Sequence, residues 1–331
     1  MARVDIVMAL YNKSRTVLRS VESIRRQTFT DWRLIVVDDG STDDGPAQVQ
    51  SLGDSRIELI RQANGGPGPA RNAGLFGARA PLVAFLDADD EWMPGYLSNS
   101  VSAFESNPDV GIVASMYYEW PHRMDMTWRW GRRGIRPGTK YRLTGDEDPV
   151  RADWILSFLH TDTTMIRTDL AQRVGGFYAE NRCLLGEDTI FFMRLGIRTT
   201  ILAVGPAAVI HHREDSGLSH YAERPLPPFL LDPQILLRDC PDYRRGLMEN
   251  IINHIALRIA RDKARNGLKP QAQDLLRRFP ATRQFGGEYV CCRVTIALSR
   301  WITIWVRFKG FIGPRVRNQW GKLRGISASG R

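Results

Sequence analysis

Three short apolar runs, each halted by an acidic or polar loop, constrain this chain more than any other feature of it. Val4–Leu10, apolar except for Asp5, stops at Tyr11-Asn12-Lys13-Ser14; Arg33–Val37 stops at Asp38-Asp39-Gly40-Ser41; Leu82–Leu86 stops at Asp87-Ala88-Asp89-Asp90. Continuous apolar runs of this length mark strands buried on both faces of a parallel sheet. Val17, Leu18, Val21 and Ile24 follow the first run at helical spacing. Arg56–Arg61 reads as a further strand, and Ala70–Gly74 opens a helix after Asn64-Gly65-Gly66-Pro67-Gly68-Pro69. Strands alternating with helices predict an α/β, doubly wound, mostly parallel sheet with its acidic and Gly-rich loops gathered at one edge. Ligands of such sheets bind outside the carboxyl ends of the strands.

The loop after Leu86 is the most heavily charged. Asp87, Asp89 and Asp90 place three carboxylates within four residues, where they repel one another unless a cation joins them. Hard divalent cations such as Mg2+ and Mn2+ prefer such oxygens. The same residues also suit a solvated turn before a helix beginning at Pro94. The loop alone leaves both readings open.

Ile6–Lys13, Ser23–Phe29, Val37–Asp43, Gly68–Gly74 and Phe85–Asp90 together resemble, in order and spacing, the motifs of the family 2 glycosyltransferases of the GT-A fold. The resemblance extends over about the first two thirds of the chain. One position departs from it: the family usually has Pro two residues before the Tyr-Asn pair, where this chain has Ala9. The resemblance implies that Tyr11 contacts the nucleotide, that Asp39 accepts a hydrogen bond from its base, and that Asp87 holds the ribose. It further implies that Asp89, alone or with Asp90, ligates a Mn2+ or Mg2+ ion bridging the diphosphate. Arg71, at a helix start after a Gly-rich loop, would meet the base or a phosphate, since helix amino termini favour anions. Asp38 and Asp43 fit turn-forming roles better. No GxGxxG follows the first strand, so hydride chemistry lacks its main support.

Further along, Pro94–Ser106 predicts a helix and Val110–Met116 a strand. From Tyr117 to Asp153 the regular pattern fails, and Trp120, Trp128 and Trp130 lie among arginines, a composition suited to sugar faces or to ordinary packing. Thr164–Arg167 predicts a strand, and Gly175-Gly176-Phe177 a turn. Glu187 and Asp188 then open a helix carrying Ile190, Phe191, Met193 and Leu195. Family members carry a similar Gly-Phe turn and acidic pair, which implies Asp188 as catalytic base. Acids at a helix amino terminus also favour the macrodipole without any catalysis. Val209–Ser219 resembles the family's His-containing segment, with His212 the implied third metal ligand and His211 the alternative.

The formal net charge is +10, distributed unevenly. Residues 223–331 carry 21 Lys+Arg against 8 Asp+Glu, whereas residues 1–222 carry 25 against 28. This sets an expected boundary between a glycosyltransferase domain, 1–222, and a basic helical extension, 223–331. Within the extension Tyr243–Ala264 and Gln271–Phe279 predict helices. In residues 290–311 Arg293, Arg300 and Arg307 form a narrow basic stripe against Trp301, Trp305 and aliphatic neighbours, a candidate membrane-interface helix. A core helix with a solvated edge is the alternative. No nucleic-acid module accompanies the basic residues. Cys183, Cys240, Cys291 and Cys292 form no CxxC, which fits a reducing cytoplasm. No run of about 18 apolar residues suggests a spanning helix.

The expectation is an inverting, metal-dependent transferase moving a sugar from a nucleotide-sugar donor, UDP-linked, to a carbohydrate or lipid-linked acceptor. It would work in polysaccharide or glycolipid assembly, peripherally on the inner face of the membrane. The alternative is a catalytically idle nucleotide-sugar binding or scaffold protein of the same fold.

Overall fold

The computed structural model describes residues 2–215 and 225–298. The chain divides into two compact units, Met1–Met248 and a second from Glu249 onward. The proline-rich stretch where composition changes, around residues 225–228, therefore lies inside the first unit.

The first unit contains one sheet. Its strands are β1 (Val4–Leu10), β2 (Trp32–Asp38), β3 (Ile57–Arg61), β4 (Leu82–Phe85), β5 (Glu91–Trp92), β6 (Val110–Trp120), β7 (Met124–Asp125), β8 (Lys140–Tyr141), β9 (Thr164–Arg167) and β10 (Thr200–His212). The order is β3-β2-β1-β4-β9-β6-β10-β5, with β7 beside β6 and β8 beside β10. The long pairings, β1 with β2 and β6 with β10, are parallel, while four-residue β9 runs antiparallel between β4 and β6. Helices that matter for the site are α1 (Val17–Arg25), α2 (Pro67–Gly77), α3 (Tyr96–Ser106) and α4 (Glu187–Gly196).

Side-chain choices explain the packing. Val4, Ile6, Met8 and Leu10 are fully buried, and Asp5 between them is buried too because it has partners. Its carboxylate pairs with Arg33 at 2.9 Å and accepts the amides of Arg79 at 2.6 Å and Ala80 at 2.8 Å. Burial would raise its pKa; the Arg33 and amide hydrogen bonds outweigh burial and hold it below the usual carboxylate range. A Cβ on Gly74 would meet Val7 Cγ1 at 2.4 Å, so only glycine lets α2 lie this close to β1.

The region expected to be irregular, Tyr117–Asp153, contains the end of β6, β7, β8 and short helices at Thr127–Gly131 and Pro149–Ser157. Trp130 is buried edge-on to Phe158, and Arg133 stacks between Trp130 and Trp154. Trp130, one of the three indoles in that region, is thus a packing residue. Trp128 stays exposed.

In the second unit the expected helices are Asp242–Arg265, which begins in the first unit, and Lys269–Arg278. Residues 286–298 are also helical. Glu288 lies 3.6 Å from both His254 and Arg261. Among the described residues no helix is long and apolar enough to cross a membrane. Residues 299–311 of the candidate interface helix, and Ser219, lie outside the described residues.

Candidate active site

Parallel strands release their loops at the same sheet edge, and register makes three of these loops neighbours. Leu10 pairs with Asp38 and Val7 with Phe85. The Asp39 amide donates to the Leu10 carbonyl at 2.8 Å and the Leu86 amide to that of Val7 at 3.1 Å. The loops meet around a cavity of about 750 Å3 whose lining includes Tyr11, Lys13, Asp39, Arg71, Asp87 and Asp89. All four nucleotide-contacting candidates, Tyr11, Asp39, Arg71 and Asp87, are therefore brought together.

Asp39 is nearly saturated by protein. It accepts from Gln62 Nε2 at 2.8 Å and from the amides of Gly65 at 2.9 Å and Gly66 at 2.8 Å. It thus fixes the Gly-rich loop that leads into α2, leaving about one of a carboxylate's four acceptor positions for a ligand. Asp38 and Asp43 take turn roles, accepting from the amides of Ser41 and Ser14 respectively, each at 2.8 Å.

The Ala70–Gly74 segment distributes its side chains by task. Asn72 exchanges two hydrogen bonds of 2.8 Å with the backbone of Phe177, pinning the Gly175–Phe177 turn. Arg71 is buried, with Nη2 on Asp87 at 2.7 Å and Nη1 on Glu187 at 2.8 Å. Burial disfavours its charge, but the Asp87 and Glu187 carboxylates more than offset this, and its pKa is raised. One guanidinium therefore ties the acid loop after β4 to the first turn of α4, across about a hundred residues of sequence. Burial and neighbouring Asp188 push the Glu187 carboxyl upward, against Arg71. Asp188 accepts from its following amide, Thr189 N, at 2.6 Å. Gly186, at φ +93°, supplies the left-handed turn into α4.

A second cavity, about 180 Å3, adjoins the first. Its lining includes Asp87, Asp89, Asp90, Asp162, Asp188 and His211, and Asp87 and Asp89 also line the first cavity. The acids near position 88 and the acid at 188 thus share one cleft. β10 closes the cleft because Val209 and Ile210 pair antiparallel with Trp92 and Glu91. The His212 amide donates to Asp90 Oδ1 at 2.7 Å.

Asp89 pairs with Lys13 at 2.5 Å; burial and Asp87 nevertheless raise its pKa. Asp90 is raised further, by burial and then by Asp162. Burial pushes Asp162 up to about 7 and His160 down to about 3. Asp162 and His160 are absent from the residues that the family motifs mark. Both sit in a Thr-rich stretch without a recognised motif, and only the insertion of β9 between β4 and β6 delivers them to the cleft.

The donor set suits a divalent cation. Asp87, Asp89 and Asp90 offer carboxylate oxygens within 4.8 Å of one another, and Asp90, Asp162 and His211 offer a second such group. Carboxylate oxygens with one imidazole fit Mg2+ or Mn2+. His212 falls in a different close group, with Glu214 and Asp215.

An acid-lined cleft at the carboxyl ends of a doubly wound sheet is the architecture of a nucleotide-binding α/β enzyme. The chain belongs to glycosyl transferase family 2, whose sequence profile matches residues 5–175. It is 30% identical over 243 residues to the succinoglycan biosynthesis protein ExoW of Rhizobium meliloti, covering 70% of this chain and 75% of that one. It is 39% identical over 106 residues to the Escherichia coli UDP-Glc:alpha-D-GlcNAc-diphosphoundecaprenol beta-1,3-glucosyltransferase WfgD, covering 31% of this chain and 42% of that one. An uncharacterized glycosyltransferase of Nostoc is 40% identical over 114 residues, a match spanning 34% of this chain and 35% of the relative's length. In structure, the chain resembles residues 1–349 of Staphylococcus aureus TarS in complex with UDP-GlcNAc. The TM-score is 0.64 at 16% identity, over 92% of this chain and 88% of that one. The GT-A-like fold expected from the motifs is thus the fold observed.

Proposed function

We propose that the chain transfers a sugar, with inversion, from a UDP-linked donor to an acceptor hydroxyl during polysaccharide or glycolipid assembly. The observation that carries this reading is the single cleft lined by Asp87, Asp89, Asp90 and Asp188. In the proposed reaction Asp188 takes the proton of the acceptor hydroxyl as its oxygen attacks the anomeric carbon. The bond from that carbon to the diphosphate oxygen breaks, and its electron pair leaves with the diphosphate. Asp89 and Asp90, with His211 or His212, would hold Mn2+ or Mg2+, which when bound stabilises the departing diphosphate in place of a general acid. Tyr11 and the remaining acceptor position of Asp39 serve the nucleotide, and Asp87 the ribose. Arg71 keeps Asp87 and Glu187 in place.

Two relatives support the setting. One is named for succinoglycan biosynthesis, and the other for transfer from UDP-Glc to a diphosphoundecaprenol-linked sugar. A lipid-linked acceptor at the cytoplasmic face of the membrane also suits the basic, Trp-containing residues 290–311 as a peripheral contact.

The test is a panel of nucleotide sugars with Mn2+, scored for nucleoside diphosphate release, with the anomeric configuration of the product read by NMR. Release of nucleoside diphosphate and an inverted centre are expected. A retained configuration, or pyrophosphate as the product, contradicts the reading.

A further inference from the structure

Two of the side chains expected to hold the cation are already engaged. Asp89 Oδ2 takes the Lys13 ammonium at 2.5 Å. Both ring nitrogens of His212 face carboxylates, Glu91 at 2.8 Å and Glu214 at 3.2 Å. One residue earlier the situation reverses, because successive side chains of a strand point to opposite faces. His211 turns towards Asp90 and Asp162.

His211 Nε2 and Asp162 Oδ2 lie 2.7 Å apart, yet neither has a hydrogen-bond partner in acceptable geometry. The residues are 8% and 3% exposed, and both line the smaller cavity. Unpaired buried polar atoms are costly. Two donors about 2.1 Å from one cation, at a right angle, stand about 3 Å apart, close to the spacing found here. A carboxylate oxygen of Asp90 is within 4.8 Å of both. The surroundings hold these ligands still: Asp90 Oδ1 is fixed by the His212 amide, and Trp92 Nε1 donates to the Asp162 carbonyl at 2.7 Å. Such supporting bonds are what orient metal ligands.

We propose that Asp90, Asp162 and His211 are protein ligands of the divalent cation, with His212 outside its shell. One imidazole among carboxylates makes the site favour Mn2+ over Mg2+, whose chemistry is nearly all oxygen. The assignment rests on the metal-assisted transfer proposed above.

The test is Mn2+ titrated into the full chain and followed by EPR, with nitrogen hyperfine coupling read by pulsed EPR. Wild type shows coupling to one imidazole. His211→Gln loses the coupling and weakens Mn2+ at least about tenfold; Asp162→Asn weakens Mn2+ similarly but keeps the coupling; His212→Gln keeps it. Coupling that survives in His211→Gln, vanishes in His212→Gln, or is absent from wild type overturns the assignment. If circular dichroism shows that His211→Gln does not fold, His212→Gln decides: retained coupling supports the site and lost coupling overturns it. Transfer is scored separately. His211-dependent Mn2+ binding without transfer from any donor removes the transfer reading and leaves the site. Full transfer in EDTA without bound Mn2+ removes the site and leaves transfer.

Discussion

Arg71 shows how one residue can hold a cleft together. Its guanidinium answers Asp87 and Glu187 at once, a planar fork that the lysine point charge does not reproduce. Removing it leaves buried Glu187 and half-buried Asp87 unpaired, and loss of one partner of a buried pair costs about 3 kcal/mol. Arg71→Met should therefore lower stability by about that amount in urea denaturation, and Arg71→Lys should restore only part of it. Equal stability of both variants with wild type would mean that the bridge contributes nothing. The sequence placed Arg71 at the site by its position after a Gly-rich loop, but its partner Glu187 could not be read from spacing. That pairing depends on α4 starting beside α2, a tertiary arrangement.

At the scale of elements, close approach and buried charge each make a prediction. Gly74→Ala brings a Cβ to 2.4 Å from Val7 Cγ1, so α2 must shift from β1 at a cost of about 1–3 kcal/mol. A thermal melt measures the loss, and an unchanged melt would show that the contact yields freely. Asp5 contributes to acid sensitivity. Its folded pKa is lowered, so its contribution is full above the unfolded value of about 4 and is lost as pH falls through the folded value. Asp5→Asn should destabilise at neutral pH by about 3 kcal/mol, with the difference from wild type shrinking below about pH 4. A difference independent of pH would contradict the linkage.

The strands that carry the nucleotide loops were legible because apolar runs end abruptly at their acids. β5, and its pairing with the end of β10, was not: Glu91–Trp92 is two residues long and pairs through the backbone. The ladder of β10 on β6 runs on through His211 and His212, and the alternation of side chains along it turns His211, not His212, towards Asp162. Asp162 was hidden for the same reason, since its approach to Asp90 follows from strand order rather than from local pattern.

For the molecule as a whole, charge and chemistry are segregated. The acids of the cleft lie in residues 1–222, and the net positive charge lies beyond. Should the tail serve a membrane, the full chain will sediment with vesicles containing anionic lipid and detach as salt rises, through screening over about a 10 Å Debye length. A chain ending at Arg283 should not sediment; equal sedimentation of the two would remove the tail from that role. The central claim is that acids a hundred residues apart serve one transfer reaction in one cleft. It is tested most directly by Asp188→Asn, measuring donor affinity by calorimetry and transfer by product formation. Donor affinity within about twofold of wild type, with transfer reduced at least about a thousandfold, is the predicted result. Turnover close to that of wild type would contradict the account.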